Sequence, residues 1–420
     1  MDNETIRRID RVMGSALCFT LTAHRRAADV RTARSQSSAG PVRKVLFLKL
    51  IEQGATVLAA PALQLAVQRY GRDNVYFCVF PENRAILDLL DILPKDNVIE
   101  LRHGDLRTFG LDAAAALRRM RSEGIDAIID MEFLTRAPAI LGYLSGASKR
   151  VGLHRFEEEG PYRGDLLTHR VQYNPYLHTS EAYLQLVQAL DDDPAAVPLL
   201  KRAVRQAPLD PPRFLATDAD RARVQGLLEQ ENGGPLPGPV VLLNPNTGDL
   251  LPTRMWRTER FVELGQRILA EHPTVTLALT GAPSEKDGAE DVRRRIGGSR
   301  VLCMAGRTSL RDVLVLYTLS EVLVTNDSGP GHFASMTDID NIVLFGPETP
   351  QRFGPLGAHA HVLWAKLACS PCVNVYNHRF SACTDNTCMQ EITVDQVFAQ
   401  VQTCLRGRGL TATGTQRSAG

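Results

Sequence analysis

The chain has 420 residues, more than one hydrophobic core ordinarily serves, so two domains with a cleft between them are expected. Hydrophobic residues make up 44% and charged residues 23%, which excludes a disordered chain and a bundle of membrane spans. Lys and Arg total 48 against 47 for Asp and Glu, so no overall field points to a nucleic-acid partner.

Residues 1–40 read as a basic amphipathic arm: Ile6, Ile9, Met13, Leu17 and Leu21 recur at helical spacing beside Arg7, Arg8, Arg11, Arg25, Arg26, Arg31 and Arg34. Such a helix suits an anionic membrane surface, and it suits equally well the body of the protein or a second subunit. Residues 12–23 are broken by Gly, Ser, Thr and Cys and lack a cleavage site, so no secretory signal is expected. With no run of about 20 apolar residues, the expected location is the cytoplasm, with at most peripheral contact at the inner face of the cytoplasmic membrane. After a linker at 35–40, residues 41–190 alternate short apolar runs (45–50, 75–80, 98–101, 125–131, 150–153) with helical periodicity (57–70, 106–121, 136–144). That is the pattern of βαβ units, hence a parallel sheet wrapped by helices. Residues 191–239 are turn-rich, with Pro211-Pro212 and the run from Gly233 to Pro239, and mark the junction. A second series fills 240–405, with strands at 240–244, 275–280, 301–304, 322–325 and 342–345, helices at 259–270, 285–296 and 310–319, and a tail at 406–420. The fold class is therefore α/β: two doubly wound, Rossmann-like domains facing each other across a cleft.

Ligands of such sheets gather at the carboxyl ends of the strands. After 322–325 come Asp327, Ser328, Gly329, Pro330, Gly331 and His332, a helix-opening turn whose glycines and hydroxyl suit a pair of phosphates. An ordinary helix capped by Asp327 or Ser328 explains that segment alone equally well. After 240–244 come Thr247 and, before Trp256, Arg254, which suits a phosphate or is a surface arginine. After 275–280 come Gly281 and Glu285, a carboxylate for ribose hydroxyls or a favourable first-turn charge.

Taken in order, Pro245-Asn246-Thr247, Arg254-Met255-Trp256, Gly281 to Glu285, Asp327 to His332 and Leu344-Phe345-Gly346-Pro347 resemble glycosyltransferase family 9, the heptosyltransferases of lipopolysaccharide assembly, over roughly residues 42–405. The resemblance implies a GT-B fold and a nucleotide-diphosphate sugar donor, such as ADP-heptose, bound by the second domain. It also implies a saccharide or lipid-linked saccharide acceptor bound by the first, and no cofactor or catalytic metal. Carried over, Thr247, Arg254 and Ser328 to Gly331 contact the diphosphate, Gly281 and Glu285 belong to the ribose side, and Asp327 and His332 shape the sugar pocket. The family often has Lys where Arg254 stands; charge is kept, geometry is not. The expected function is inverting transfer of heptose or a related sugar to a lipopolysaccharide or other cell-envelope saccharide. The alternatives are a catalytically silent nucleotide-sugar or glycan-binding module and a GT-B-type nucleotide-sugar epimerase.

One position departs from the family. Its members carry a Gly-Asp pair after the first strand, and the Asp is the base that deprotonates the acceptor. Here the aligned residue is Ala55, which takes no proton. Glu52 in the same loop is the expected base, with Asp130 or Glu132 as alternatives; Gly54 and Thr56 are expected on the acceptor side, Gly54 letting a ligand pass close to the backbone. No Gly-x-Gly-x-x-Gly follows the first strand, against a dinucleotide oxidoreductase. Near the end, Cys369, Cys372, Cys383 and Cys388 suit a structural Zn, while disulfides or free thiols stay open.

Overall fold

The strands form where the sequence runs Val, Ile and Leu without alternation, because helices cover both faces of a parallel sheet. The computed structural model describes residues 8–32, 40–133, 135–154, 156, 162–203, 209–248, 251–375 and 381–410. It divides into two units, Met1–Leu209 and Asp210–Gly420. In the first, β1 (Val45–Leu48), β2 (Val75–Val79), β3 (Val98–Glu100), β4 (Ala127–Asp130), β5 (Lys149–His154) and β6 (His169–Gln172) lie in the order β3-β2-β1-β4-β5-β6. All pairs are parallel; Val45 stands opposite both Val75 and Ala127. The second unit repeats the plan with β7 (Val240–Asn244), β8 (Thr276–Leu279), β9 (Val301–Cys303), β10 (Val322–Asn326), β11 (Asp340–Phe345) and β12 (Ala360–Trp364), ordered β12-β11-β10-β7-β8-β9. Strand order reverses between β1 and β4 and between β7 and β10, and these switch points open the crevices where such sheets bind ligands. Leu46, Tyr76, Ile128 and Leu141 pack in the first core; Val241, Leu243, Trp256, Phe261 and Phe398 pack in the second.

Several elements differ from expectation. The edge strands β6 and β12 were absent from the sequence reading because they are partly exposed and their apolar runs are short. Residues 191–239 are not a linker throughout: the helix Asp218–Asn232, started by a Thr217–Asp220 capping box, belongs to the second unit and buries little beyond Val224 and Leu228. The helix expected at 57–70 is two helices, Gln53–Leu58 and Ala60–Tyr70. At the end, the helix Val394–Gly407 buries Val397, Val401 and Leu405 in the second core and runs past the expected domain end at 405.

In the arm, Ile6, Arg7, Arg34 and linker residues 35–39 lie outside the described residues, as does the tail from 411. The helical segments Asp10–Gly14 and Ser15–Thr32 dock on the first unit. Asp10 pairs with Arg136 at 3.0 Å and Arg25 with Asp165 at 2.6 Å, while Cys18 packs on Ala139 and Leu166. Gly164 permits the close approach: a Cβ there would sit 2.5 Å from Thr22 Oγ1. The docked row is thus Gly14, Cys18 and Thr22, beside the expected apolar stripe, and Val12, Met13, Leu17 and Phe19 remain exposed. Among the described residues no helix is long and apolar enough to cross a membrane.

Candidate functional site

At the second switch point β7 ends in Asn244 and β10 in Asn326, both buried. Asn326 acts as a clasp: its Oδ1 accepts from Trp256 N at 3.0 Å and its Nδ2 donates to Pro245 O at 3.0 Å. The loop after β7 is thereby fixed against β10, which brings Arg254 to Asp327, Nε to Oδ2 at 3.2 Å, with Nη1 donating to Asp327 O at 3.3 Å. Asp327 is 3% exposed; burial pushes its carboxyl above the ordinary range, outweighing the opposing pull of Arg254.

The turn itself offers fewer donors than its sequence suggests. Pro330 has no N–H, and Gly331 N already donates to Ser328 O at 3.2 Å. Ser328 Oγ donates to Asn326 O at 3.1 Å and does not cap the helix Gly329–Ala334. The two glycines are explained by packing, since a Cβ would lie 3.0 Å from the Phe333 ring at Gly329 and 3.1 Å from Val343 at Gly331. His332 is buried in the same turn. Among the motif residues, cationic attraction therefore falls to Arg254.

The remaining expected residues sit around it. Thr247 is half-buried and donates to Gly248 O at 3.2 Å. At Gly281 a Cβ would come within 2.7 Å of Asn246 Nδ2, so a side chain there would push the Asn246 amide off its bond to Thr280 O, which ties the loops after β7 and β8 together. Glu285 Oε2 accepts from Ala282 N at 2.7 Å, which gives it the helix-opening role weighed above.

Two residues were missed, Glu348 and Arg352, both buried after β11. Glu348 Oε1 accepts from Thr349 N at 3.1 Å, and among the described residues Oε2 has no hydrogen-bond partner. Burial pushes the Glu348 carboxyl up to about 7, against the pull of Arg352 and then Arg254, with Asp327 adding to the rise. The signal was the run Gly346-Pro347-Glu348-Thr349-Pro350 at a strand's carboxyl end, which the motif reading left at Pro347.

In the first unit, Lys49 follows β1 and is fully buried, its Nζ 3.1 Å from Glu132 Oε2 and 3.3 Å from Glu52 Oε2. Glu132 also accepts from Leu50 N at 2.7 Å and Ile51 N at 3.3 Å, so it pins the loop. Asp130 is engaged by Arg163 and by Glu132 N. Both alternative bases are thus committed to holding structure, whereas Glu52 keeps a partly exposed side chain. The left-handed position of this loop is Glu52 itself, at φ 74° and ψ 89°, and not Gly54, which lies inside the helix Gln53–Leu58. A non-glycine residue held there stores about 1–3 kcal/mol, a strain concentrated at functional sites. Ala55 and Thr56 are buried in the same helix, and Thr56 Oγ1 donates to Glu52 O at 3.3 Å, closing the turn.

Cys369, Cys372, Cys383 and Cys388 are all free thiols. Among the described residues the group that brings three possible ligand atoms within 4.8 Å of one another is Asp340, His361 and Cys404, not these four. Among the described residues the four sulfurs are not gathered within that distance, although Cys372, Cys383 and Cys369 all act on the buried Cys388 thiol. At Asp340 the carboxylate is taken by Arg408 at 2.7 Å and His361 at 2.9 Å, an ion-pair cluster at the opposite strand ends from Asp327.

Two Rossmann-like units of identical strand order, each with its polar cluster at the switch point, define the GT-B class of α/β folds. The structure superposes on Escherichia coli ADP-heptose lipopolysaccharide heptosyltransferase II with a TM-score of 0.67 and 16% identity, covering 87% of this chain and 99% of that one. E. coli heptosyltransferase WaaC with ADP matches at a TM-score of 0.59 and 18% identity, covering 86% and 99%. The family model described as glycosyltransferase family 9 (heptosyltransferase) matches residues 113–379, and the chain belongs to that family. Lipooligosaccharide heptosyltransferase 2 of Haemophilus influenzae is 29% identical over 115 residues, 27% of this chain and about one third of that protein's length.

Proposed function

We propose that this chain is an inverting glycosyltransferase that moves heptose, or a related sugar, from a nucleotide-diphosphate donor to a lipopolysaccharide or other cell-envelope saccharide. The observation that carries the reading is the pair of the partly exposed Arg254 with the buried Asp327 at the second switch point, with the family's motif residues in order around it. Arg254 turns its guanidinium to the diphosphate, and its positive charge stabilises the leaving group as the bond to the anomeric carbon breaks. Thr247 and the Ser328 to Gly331 turn complete the phosphate contacts, Gly281 and Glu285 face the ribose, and Asp327 with His332 bounds the sugar. In the first unit Glu52 takes the proton of the acceptor hydroxyl as its oxygen attacks the anomeric carbon, held in place by Lys49 and Glu132. The acceptor binds on that side, by Gly54 and Thr56.

A heptosyltransferase of this fold solved with ADP makes ADP-heptose the first donor to try. Exposed Val12, Met13 and Phe19, next to Arg8 and Arg11 on the docked arm, suit peripheral contact with an anionic membrane at the cytoplasmic face. The donor grip is tested by calorimetry with ADP-heptose: Arg254→Gln is expected to weaken binding about 30- to 100-fold, the loss of one charge-assisted contact. Equal affinity of variant and wild type refutes the assignment.

A further inference from the structure

A buried carboxyl oxygen with nothing to bond to is a rare feature, and it calls for a physical account. Glu348 is 1% exposed, and among the described residues its Oε2 has no hydrogen-bond partner. It stands after β11, whose end is tied to the donor cluster because Asp327 N donates to Leu344 O at 3.0 Å. The charged groups acting on it come from three elements: Arg352 on the helix Pro350–Phe353, Arg254 in the loop after β7, and Asp327 after β10. The loop of Cys369 and Cys372 packs on the same segment through Ser370 Oγ to Gly346 O and Cys372 N to Pro347 O, and Cys388 Sγ lies beside Gly346.

With both carboxylates ionised, Asp327 and Glu348 balance Arg254 and Arg352. A sugar diphosphate brings two more negative charges into this buried set, and like charges in a dry site do not all stay ionised. Burial raises both carboxyls and both have an oxygen without a hydrogen bond, but Asp327 has the Arg254 guanidinium at 3.2 Å, whereas among the described residues no cation forms an ion pair with Glu348. We propose that Glu348 is a further donor-site residue that meets the diphosphate as a neutral carboxylic acid, its Oε2–H donating to a phosphate oxygen, so that donor binding draws a proton from solvent. This rests on the donor-site reading above. Nothing in the donor is broken: the proton moves from solvent to Oε2, and the hydrogen bond forms there. The raised proton affinity of Glu348 in the unliganded chain fits, since burial has already brought its carboxyl to about 7.

The test is calorimetry of the full chain with ADP-glucose, whose diphosphate does not titrate near neutrality, in buffers of different ionisation enthalpy. UDP-glucose and GDP-mannose serve if the nucleotide differs. Wild type is expected to take up close to one proton per donor at pH 8 and almost none at pH 5.5. Glu348→Gln, which keeps a hydrogen-bond donor, is expected to bind within about threefold of wild type at pH 8 with that uptake gone. Binding with no uptake, uptake unchanged in Glu348→Gln, or tenfold weaker binding by that variant overturns the role of Glu348 alone. If Glu348→Gln does not fold, uptake by wild type that fails to decline between pH 8 and 5.5 overturns it too. Absence of binding by wild type to all three sugars overturns the donor reading and this inference together.

Discussion

Lys49→Met removes an ammonium while leaving most of the volume of its stem. The Lys49 side chain is wholly buried, and of its ion-pair partners among the described residues Glu132 is 5% exposed and Glu52 16%. Breaking a buried ion pair by deleting one member costs about 3–5 kcal/mol, because the other charge stays behind without compensation. Glu132 retains its bonds from Leu50 N and Ile51 N, and Glu52 can turn toward water, so the low end, about 3 kcal/mol, is expected. Adding Glu132→Gln should recover more than half, since the stranded charge is then gone. Both tryptophans, Trp256 and Trp364, lie in the second unit, so their fluorescence is a poor reporter. Hydrogen exchange of the peptide covering residues 45–58, followed in urea, reads the first unit directly. A loss below about 1 kcal/mol in Lys49→Met, or no recovery in the double variant, refutes the view that this ammonium organises the Glu52 loop.

Glu348 gives a pH signature. Its carboxyl is raised from 4.5 to about 7 in the folded chain, so the native state binds more protons between those values and stability falls as pH rises through that window. Glu348→Gln should therefore be more stable than wild type by up to about 3 kcal/mol at pH 8, with the gain absent at pH 4.5; a gain independent of pH contradicts the assignment. Glu52→Gly and Glu52→Ala both lose the pair with Lys49 and should both abolish transfer, but only glycine relieves the left-handed backbone, so Glu52→Gly should be the more stable of the two by about 1 kcal/mol in urea denaturation. Equal stability of the two variants, or a more stable Glu52→Ala, would show that position 52 is not strained. On the arm, Phe19→Asp should reduce sedimentation with phosphatidylglycerol vesicles at least tenfold without changing the melting temperature, because Phe19 is 70% exposed. Unchanged sedimentation removes the membrane contact from the account.

The central strands were legible because burial on both faces leaves a continuous apolar run; Val240–Asn244 is found where it was expected. Of the four edge strands β3 and β9 were legible, being short apolar runs, while β6 and β12 were not, since a partly exposed strand such as Ala360–Trp364 mixes His and Val at positions that tolerate either. Motifs local in the chain, such as Asp327 to His332, could be read, but their geometry could not. Asn326 ends β10 one residue beyond the strand expected at 322–325, and it clasps the loop carrying Arg254. Glu348 is chemically ordinary by itself and becomes distinctive beside Arg254, Arg352 and Asp327, which only folding assembles. For the base, the sequence offered the carboxylate of Glu52; its backbone conformation and its link to Lys49 are tertiary facts.

The account's central claim is sugar transfer with Glu52 as base. Its most direct test is release of ADP from ADP-heptose by the full chain, with and without a truncated lipopolysaccharide core, in wild type and Glu52→Gln. The account predicts release that requires the saccharide and falls at least ~100-fold in Glu52→Gln, with donor affinity held within about threefold. Saccharide-dependent release that is unchanged in Glu52→Gln, or donor binding without any release, contradicts it.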